Sequence, residues 1–461
     1  IISISLLFAL IGILYSRKYQ GLSNYLTAGK NVGTLSLTTS LTASALGAWI
    51  LFGPASAATW GGIGSVIGYS LGTAFPMIAL IYLGKKIRNT FPSGITFTQF
   101  IFHKIGKNLF KSILFLSVFY MFIFLCAEIT AVAILINYIS GTSLWITAAI
   151  VITTTLIYTL YGGLRASILT DNFQFLIIII LLLVCMDNIF SSDLITYKRI
   201  ANNSGDLLNS KYISNYTAGL TFFIAVAATN LFHQGNWQRV FAAKNYDVLN
   251  KSLKLSFLII IPIVFFMGIT GIIAVSVDAN LNPDLAFFSI LLKDKTDLLY
   301  MVVIILGISL AVSTIDTLVN AISSLIVVDG KKINKNFKSA NSIVIFLSII
   351  AFIVASKGFS ILYLFLLADL LCCAAVFPVF YGFYKKNLKE KNLIISIVFG
   401  LLMGFLFFPS PDFSKSILVG TMLPFDLFPQ IVSSSLLFWS FLLATLGPVI
   451  VIISYDSFKG R

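Results

Sequence analysis

Long apolar runs dominate the chain and are separated by short polar breaks. A helix needs about 20 apolar residues to cross a bilayer. Windows of that kind fall at 1–16, 35–59, 62–84, 109–138, 143–161, 168–188, 216–236, 252–278, 299–328, 340–356, 359–382, 391–409 and 428–455, which predicts about thirteen spans. No small-residue cleavage site follows the first run, so it reads as a spanning helix and not as a signal peptide. The run is already under way at Ile1, so a few native residues are expected before it. The 461 residues are 58% hydrophobic and only 10% charged, more apolar surface than a soluble domain can hide. The expected class is an all-α polytopic membrane protein.

A net charge of +14 would suggest nucleic acid in a soluble chain. Here the basic residues sit between apolar runs, so they report topology and no nucleic-acid partner is expected. With the N-terminus outside, 24 of the 31 Lys and Arg fall on the inner side, from Arg17 and Lys18 through Arg239 to Arg461. The positive-inside rule then predicts N-terminus out and C-terminus in. A composition rich in Ile, Lys and Asn points to a bacterial inner membrane, where the "NNS" and "NYT" sequons would carry no sugar. Cys126, Cys185, Cys372 and Cys373 all lie in apolar segments and read as small buried hydrophobes.

Polar residues inside these spans are the candidate chemistry. The second span mixes Thr38, Thr39, Ser40, Thr42 and Ser44 with Gly47, Trp49, Gly53 and Pro54. That mixture predicts a broken helix, since unwound backbone survives at membrane depth only where it faces protein or water; tight packing of small residues is the competing reading. The seventh span ends with Asn230, His233, Gln234, Gly235 and Asn236 together, more than interhelical packing needs. Buried ionisable groups are costly and mark function. They are Glu128, Asp171, Asp316 and Asp369, of which Asp369 lies nearest mid-span. Asp171 near the inner surface could simply favour a helix N-terminus. Asp316 could pair with a cytoplasmic lysine or lie on an inward exit path. No HExxH, phosphate loop or GxSxG occurs, so an enzyme is not expected, nor any cofactor.

The run Gly141 to Ala166, "GTSLWITAAIVITTTLIYTLYGGLRA", resembles the signature of the sodium:solute symporter family, in its proline-, urea- and pantothenate-type bacterial branch. "TDNFQ" after it, "YLTAGKNVG" before the second span, "WQRVFAAKN" after the seventh and "STIDT" in the ninth extend the resemblance over most of the chain. It implies a LeuT-like fold, with two inverted five-helix repeats at 31–212 and 213–385, an extra helix in 1–30 and two more in 386–461. It also implies a sodium site between the second and ninth spans, made by the carbonyls of Ala43, Leu46 and Leu310 and the hydroxyls of Ser313 and Thr314. Asp171 would add negative field. Neutral oxygens suit a hard cation, although Ser and Thr also back-bond to their own helix. Gly47, Trp49, Glu128, Asn230, His233, Gln234 and Asp369 are the expected substrate contacts. Ala45 stands where the proline branch has an aspartate, which argues against proline.

The implied function is sodium-coupled import of a small polar solute by alternating access, with sodium as coupling ion and the lipid bilayer as surroundings. The alternatives are a proton-coupled carrier working through Asp369 or Glu128, and a solute sensor that acts through a separate partner.

Overall fold

The computed structural model describes residues 1–19, 21–193, 195–293, 296–333, 340–385, 388–411, 413, 415–416 and 435–459, with the side chains of 456–459 excepted. All regular structure among them is helical, apart from isolated bridges at Val32–Ala243 and Pro409–Ser416. Among the described residues eight helices are long and apolar enough to cross a membrane: Gly53–Thr90, Lys107–Ser140, Leu144–Phe190, Tyr246–Val277, Asp297–Ile333, Ile361–Tyr384, Glu390–Phe407 and Leu436–Tyr455. Ile2–Ser16 and Ala340–Ala355 are shorter apolar helices.

The structure divides the chain differently from the hydropathy windows in two places. Windows 143–161 and 168–188 join in the run Leu144–Phe190, interrupted at Gly163 with φ 58° and ψ −153°. Gly53–Thr90 is interrupted in the same way at Gly62, with φ 55° and ψ −155°. That backbone region belongs to glycine alone. A Cβ on Gly163 would also strike Tyr25, and one on Gly62 would strike Asn215 and the Leu207 carbonyl. Apolar windows cannot see such interruptions, because glycine barely changes the hydropathy around it.

Two crossings are broken where polar and small residues collect. Thr34–Ala45 ends at Leu46, whose ψ of 80° swings its carbonyl off the helical path. Gly47 is extended, Ala48–Leu51 makes one 3-10 turn, and Gly53–Thr90 restarts with Pro54 in its first turn. Likewise Ile213–Phe232 stops at His233, and Gln234–Ala242 resumes behind a cap in which His233 Nδ1 accepts the Gly235 N–H at 3.1 Å.

Close packing holds the two broken crossings together. Gly64, Gly68 and Gly72 recur every fourth residue, and a Cβ on the first two would run into the backbones of Asn215 and Gly219. Small residues on one face let backbones approach where lipid offers no hydrophobic drive. Within the second span, where packing was the competing reading, the helix is broken from Leu46 to Phe52.

Arg239 requires a correction. Counted above as an inner-loop cation, it is fully buried in the bundle because it neutralises a buried aspartate. Lys335, Lys338, Lys386 and Arg461, which also entered the charge count, lie outside the described residues, as does 428–434 of the last window.

Candidate functional site

The first break meets the Asp297–Ile333 helix at Ser313 and Thr314. The two hydroxyls part company there. Ser313 donates to Asp171 Oδ1 at 2.7 Å, and Thr314 donates back to the Leu310 carbonyl at 3.3 Å while its oxygen lies beside Gly47. The Leu46 N–H is shared by the Thr42 and Ala43 carbonyls, each at 3.1 Å. Ala43, Leu46, Leu310, Ser313, Thr314 and Asp171 are all buried, and the contacts across helices are Ser313 with Asp171 and Thr314 with Gly47.

Asp171 is held by charge and not by a helix end. Its Oδ2 accepts from Arg239 at 2.7 Å and from Ser40 at 2.6 Å. Arg239 in turn donates to Ser40 at 2.7 Å, to Thr317 at 2.9 Å and to the Gly235 carbonyl at 3.1 Å. One guanidinium so ties the Gln234–Ala242 helix of the second broken crossing to three other helices. Asp316 has no lysine partner: it accepts from Tyr158 at 2.7 Å, Ser167 at 2.9 Å, Thr170 at 3.2 Å and Thr317 at 3.3 Å. Among the described residues three hydroxyls of the Leu144–Phe190 helix and the neighbouring Thr317 take the place of the lysine that was one of its two readings.

On the other side of Thr314 lies a cavity of about 30 Å³, lined by Ser44, Ala45, Trp49, Tyr69, Phe124, Val226, Asn230, His233, Thr314, Phe365 and Asp369. That volume has room for one or two waters. Of the expected substrate contacts, Trp49, Asn230, His233 and Asp369 line it. Glu128 and Gly47 adjoin it through Thr314. Gln234 is turned away: its amide accepts the Phe97 N–H at 3.1 Å and donates to the Ile95 carbonyl at 3.3 Å, so it fastens the loop that precedes the Phe97–Lys104 helix. Asp369 accepts from Thr229 at 2.7 Å. Tyr69, Phe124 and Phe365 were not foreseen, since nothing in the pattern separates them from 42 phenylalanines and 18 tyrosines. Arg239 did carry a signal, being the one charge directly behind the polar cluster of the seventh span.

A stack of rings separates this cavity from a wide vestibule. Trp49 stacks on Tyr69 at 5.7 Å, Tyr69 on Phe222 at 4.5 Å, and Phe222 meets Trp60 at 5.8 Å. Trp60 lines the vestibule, about 440 Å³, together with Ser56, Asn282 and Asp284. Burial raises the Asp284 carboxyl above the usual aspartate range, against the hydroxyls of Ser56 and Ser360, which lower it. At the opposite end Phe97 packs on Trp237 at 4.9 Å, Phe232 at 5.7 Å and Phe383 at 5.8 Å.

Such a cavity between two broken helices is the arrangement of a carrier, and comparison with known proteins agrees. The sequence model of the sodium:solute symporter family matches residues 25–375. The spermidine transporter DUR31 of Candida albicans is 28% identical over 379 residues, 80% of this chain and 71% of the relative. The substrate-bound, outward-open Na+-coupled sialic acid symporter superposes with a TM-score of 0.74 at 15% identity, covering 97% of this chain and 95% of the other. Mhp1, a nucleobase-cation-symport-1 transporter closed around bromovinylhydantoin, gives 0.59 at 14% identity, with 94% and 96% covered. At such identities the two structures show the fold, which is LeuT-like. The chain belongs to the sodium:solute symporter family and is a multi-pass membrane protein that carries solutes.

Proposed function

We propose that this carrier is a sodium-coupled importer of small organic cations bearing an amine. The observation that carries the reading is Asp369, set in a cavity that it shares with the rings of Trp49, Tyr69, Phe124 and Phe365 and with the polar side chains of Ser44, Asn230, His233 and Thr314. A carboxylate at membrane depth is costly without a counter-charge, and aromatic faces attract a cation further. The ammonium would sit against Asp369 with its alkyl part among the rings. The spermidine transporter among the relatives supports an amine substrate, and the family supports sodium as the coupling ion.

Sodium would bind at the junction of Ala43, Leu46, Leu310, Ser313 and Thr314, with Asp171 supplying negative field. That bond joins the first broken crossing to the Asp297–Ile333 helix and stabilises the outward state. Substrate then enters from the vestibule, the ring stack closes, and loss of sodium to the inner side frees both. In this scheme 31–212 and 213–385 are the inverted repeats, flanked by 1–30 and 386–461. The chain spans the cytoplasmic membrane with its N-terminus outside; moving Arg239 from the loops to the bundle leaves 23 inner basic residues.

Uptake of labelled spermidine into proteoliposomes tests the reading. An inward sodium gradient should drive it, and Asp369→Asn should abolish it. Uptake that ignores sodium and follows a proton gradient would remove the sodium assignment.

A further inference from the structure

The vestibule of about 440 Å³ lies beyond the ring stack from the cavity that holds Asp369. Trp60 and Phe438 give it aromatic faces, and among the described residues Asp284 is the one charged side chain that lines it. The sequence Asn282-Pro283-Asp284 fixes that carboxylate. Pro283 opens a short 3-10 turn, and the Asn282 side-chain oxygen accepts the Asp284 N–H at 3.1 Å. The Ser56 hydroxyl donates to Asp284 Oδ1 at 3.1 Å, and the Ser360 hydroxyl bonds the carboxylate as well. Ser56 belongs to Gly53–Thr90 and Ser360 caps Ile361–Tyr384, so Asp284 stands where three elements meet at the edge of an open space.

Two hydroxyl donors leave this carboxylate half satisfied, since its oxygens offer about four acceptor positions. Among the described residues Arg239–Asp171 is the one ion pair, so none of them neutralises Asp284. Trp60 presents a ring that is 37% exposed and is anchored on Phe222 at 5.8 Å. A ligand that suits this place carries a positive charge, N–H donors and an apolar chain. A calcium ion takes about six to eight oxygens, whereas the hydroxyls here already spend their protons on a single carboxylate. Resting on the amine reading above, we propose that Asp284 and Trp60 form a first docking site for the substrate, in which the ammonium of an alkylamine or polyamine bonds Asp284 and its chain lies over the Trp60 ring. Trp49, Tyr69 and Phe222 stand between this site and Asp369. The docking site shares no residue with the junction at Ser313 and Thr314, so it fills without sodium.

Equilibrium binding of labelled spermidine to the purified carrier in detergent is the test, with Asp369→Asn as the background that removes the inner site. That variant should keep a weaker component that is the same with and without sodium. Adding Asp284→Asn should weaken the component about tenfold to a hundredfold, the loss of one charge-assisted hydrogen bond. Adding Trp60→Leu instead should weaken it about threefold, the loss of a cation–π contact with no change in net charge. Asp284→Glu retains the charge and should retain the binding, which separates contact with the ligand from the stability of the turn. Absence of a residual component in Asp369→Asn, or a residual component indifferent to Asp284→Asn, overturns the docking site and leaves the amine reading at Asp369 standing. A wild-type protein that binds no spermidine overturns the amine reading, and the docking site with it.

Discussion

Ser313 and Thr314 are neighbours in sequence, yet their hydroxyls serve different partners, Asp171 and the Leu310 carbonyl. If both also bind sodium, replacing the pair with alanine removes two ligands. The sodium concentration for half-maximal uptake should then rise at least tenfold, about 1.4 kcal/mol; an unchanged value would argue for purely structural hydroxyls. Arg239 makes a sharper case. Arg239→Ala leaves Asp171 buried and unpaired, which costs about 3–5 kcal/mol, and should show as a large drop in melting temperature in detergent. Arg239→Lys should restore only part of it, because the guanidinium contacts Ser40, Thr317, Asp171 and the Gly235 carbonyl at once. Much at this scale was legible in sequence: a carboxylate or hydroxyl pair in hydrocarbon announces itself. Partners did not. Nothing in the residues around Asp316 indicates Tyr158, Ser167 and Thr170, more than 140 positions earlier, and the sequence offers Gln234 for the cavity as readily as Asn230.

At the scale of elements, local chemistry foretold the breaks well. Gly47, Gly53 and Pro54 interrupt one crossing, and His233 with Gly235 interrupts the other, each where side-chain pattern and backbone freedom agree. The interruption at Gly163 was hidden inside the family signature and merged two expected spans into one run. Gly163→Ala forces a Cβ into a glycine-only conformation, which costs about 1–3 kcal/mol before any clash with Tyr25. A lowered melting temperature is expected, with amine uptake by the remaining folded carrier retained, because Gly163 lies against Tyr25 and does not line the cavity that holds Asp369. The Gly64, Gly68 and Gly72 row shows why hydropathy windows stop short of packing: they register how apolar a stretch is, not how closely a neighbour can approach.

For the whole molecule, fold class followed from composition and the family from one long motif, while the cavity walls required three dimensions. A diamine carried with one sodium would move three positive charges inward. At about 2.3 kcal/mol per charge per 100 mV, the potential would supply about 7 kcal/mol, roughly five decades of accumulation. Butylamine with one sodium would gain about three. Accumulation ratios under imposed potassium diffusion potentials should therefore be steeper for putrescine. The vestibule has a further consequence. Its 440 Å³ corresponds to roughly fifteen waters at about 30 Å³ each, against one or two in the smaller cavity beyond the ring stack. A carrier that fills and empties such a chamber every cycle does work against the activity of water. Adding an osmolyte too large to enter the vestibule should favour its collapsed state and slow amine uptake, while a glycerol-sized osmolyte that can enter should not.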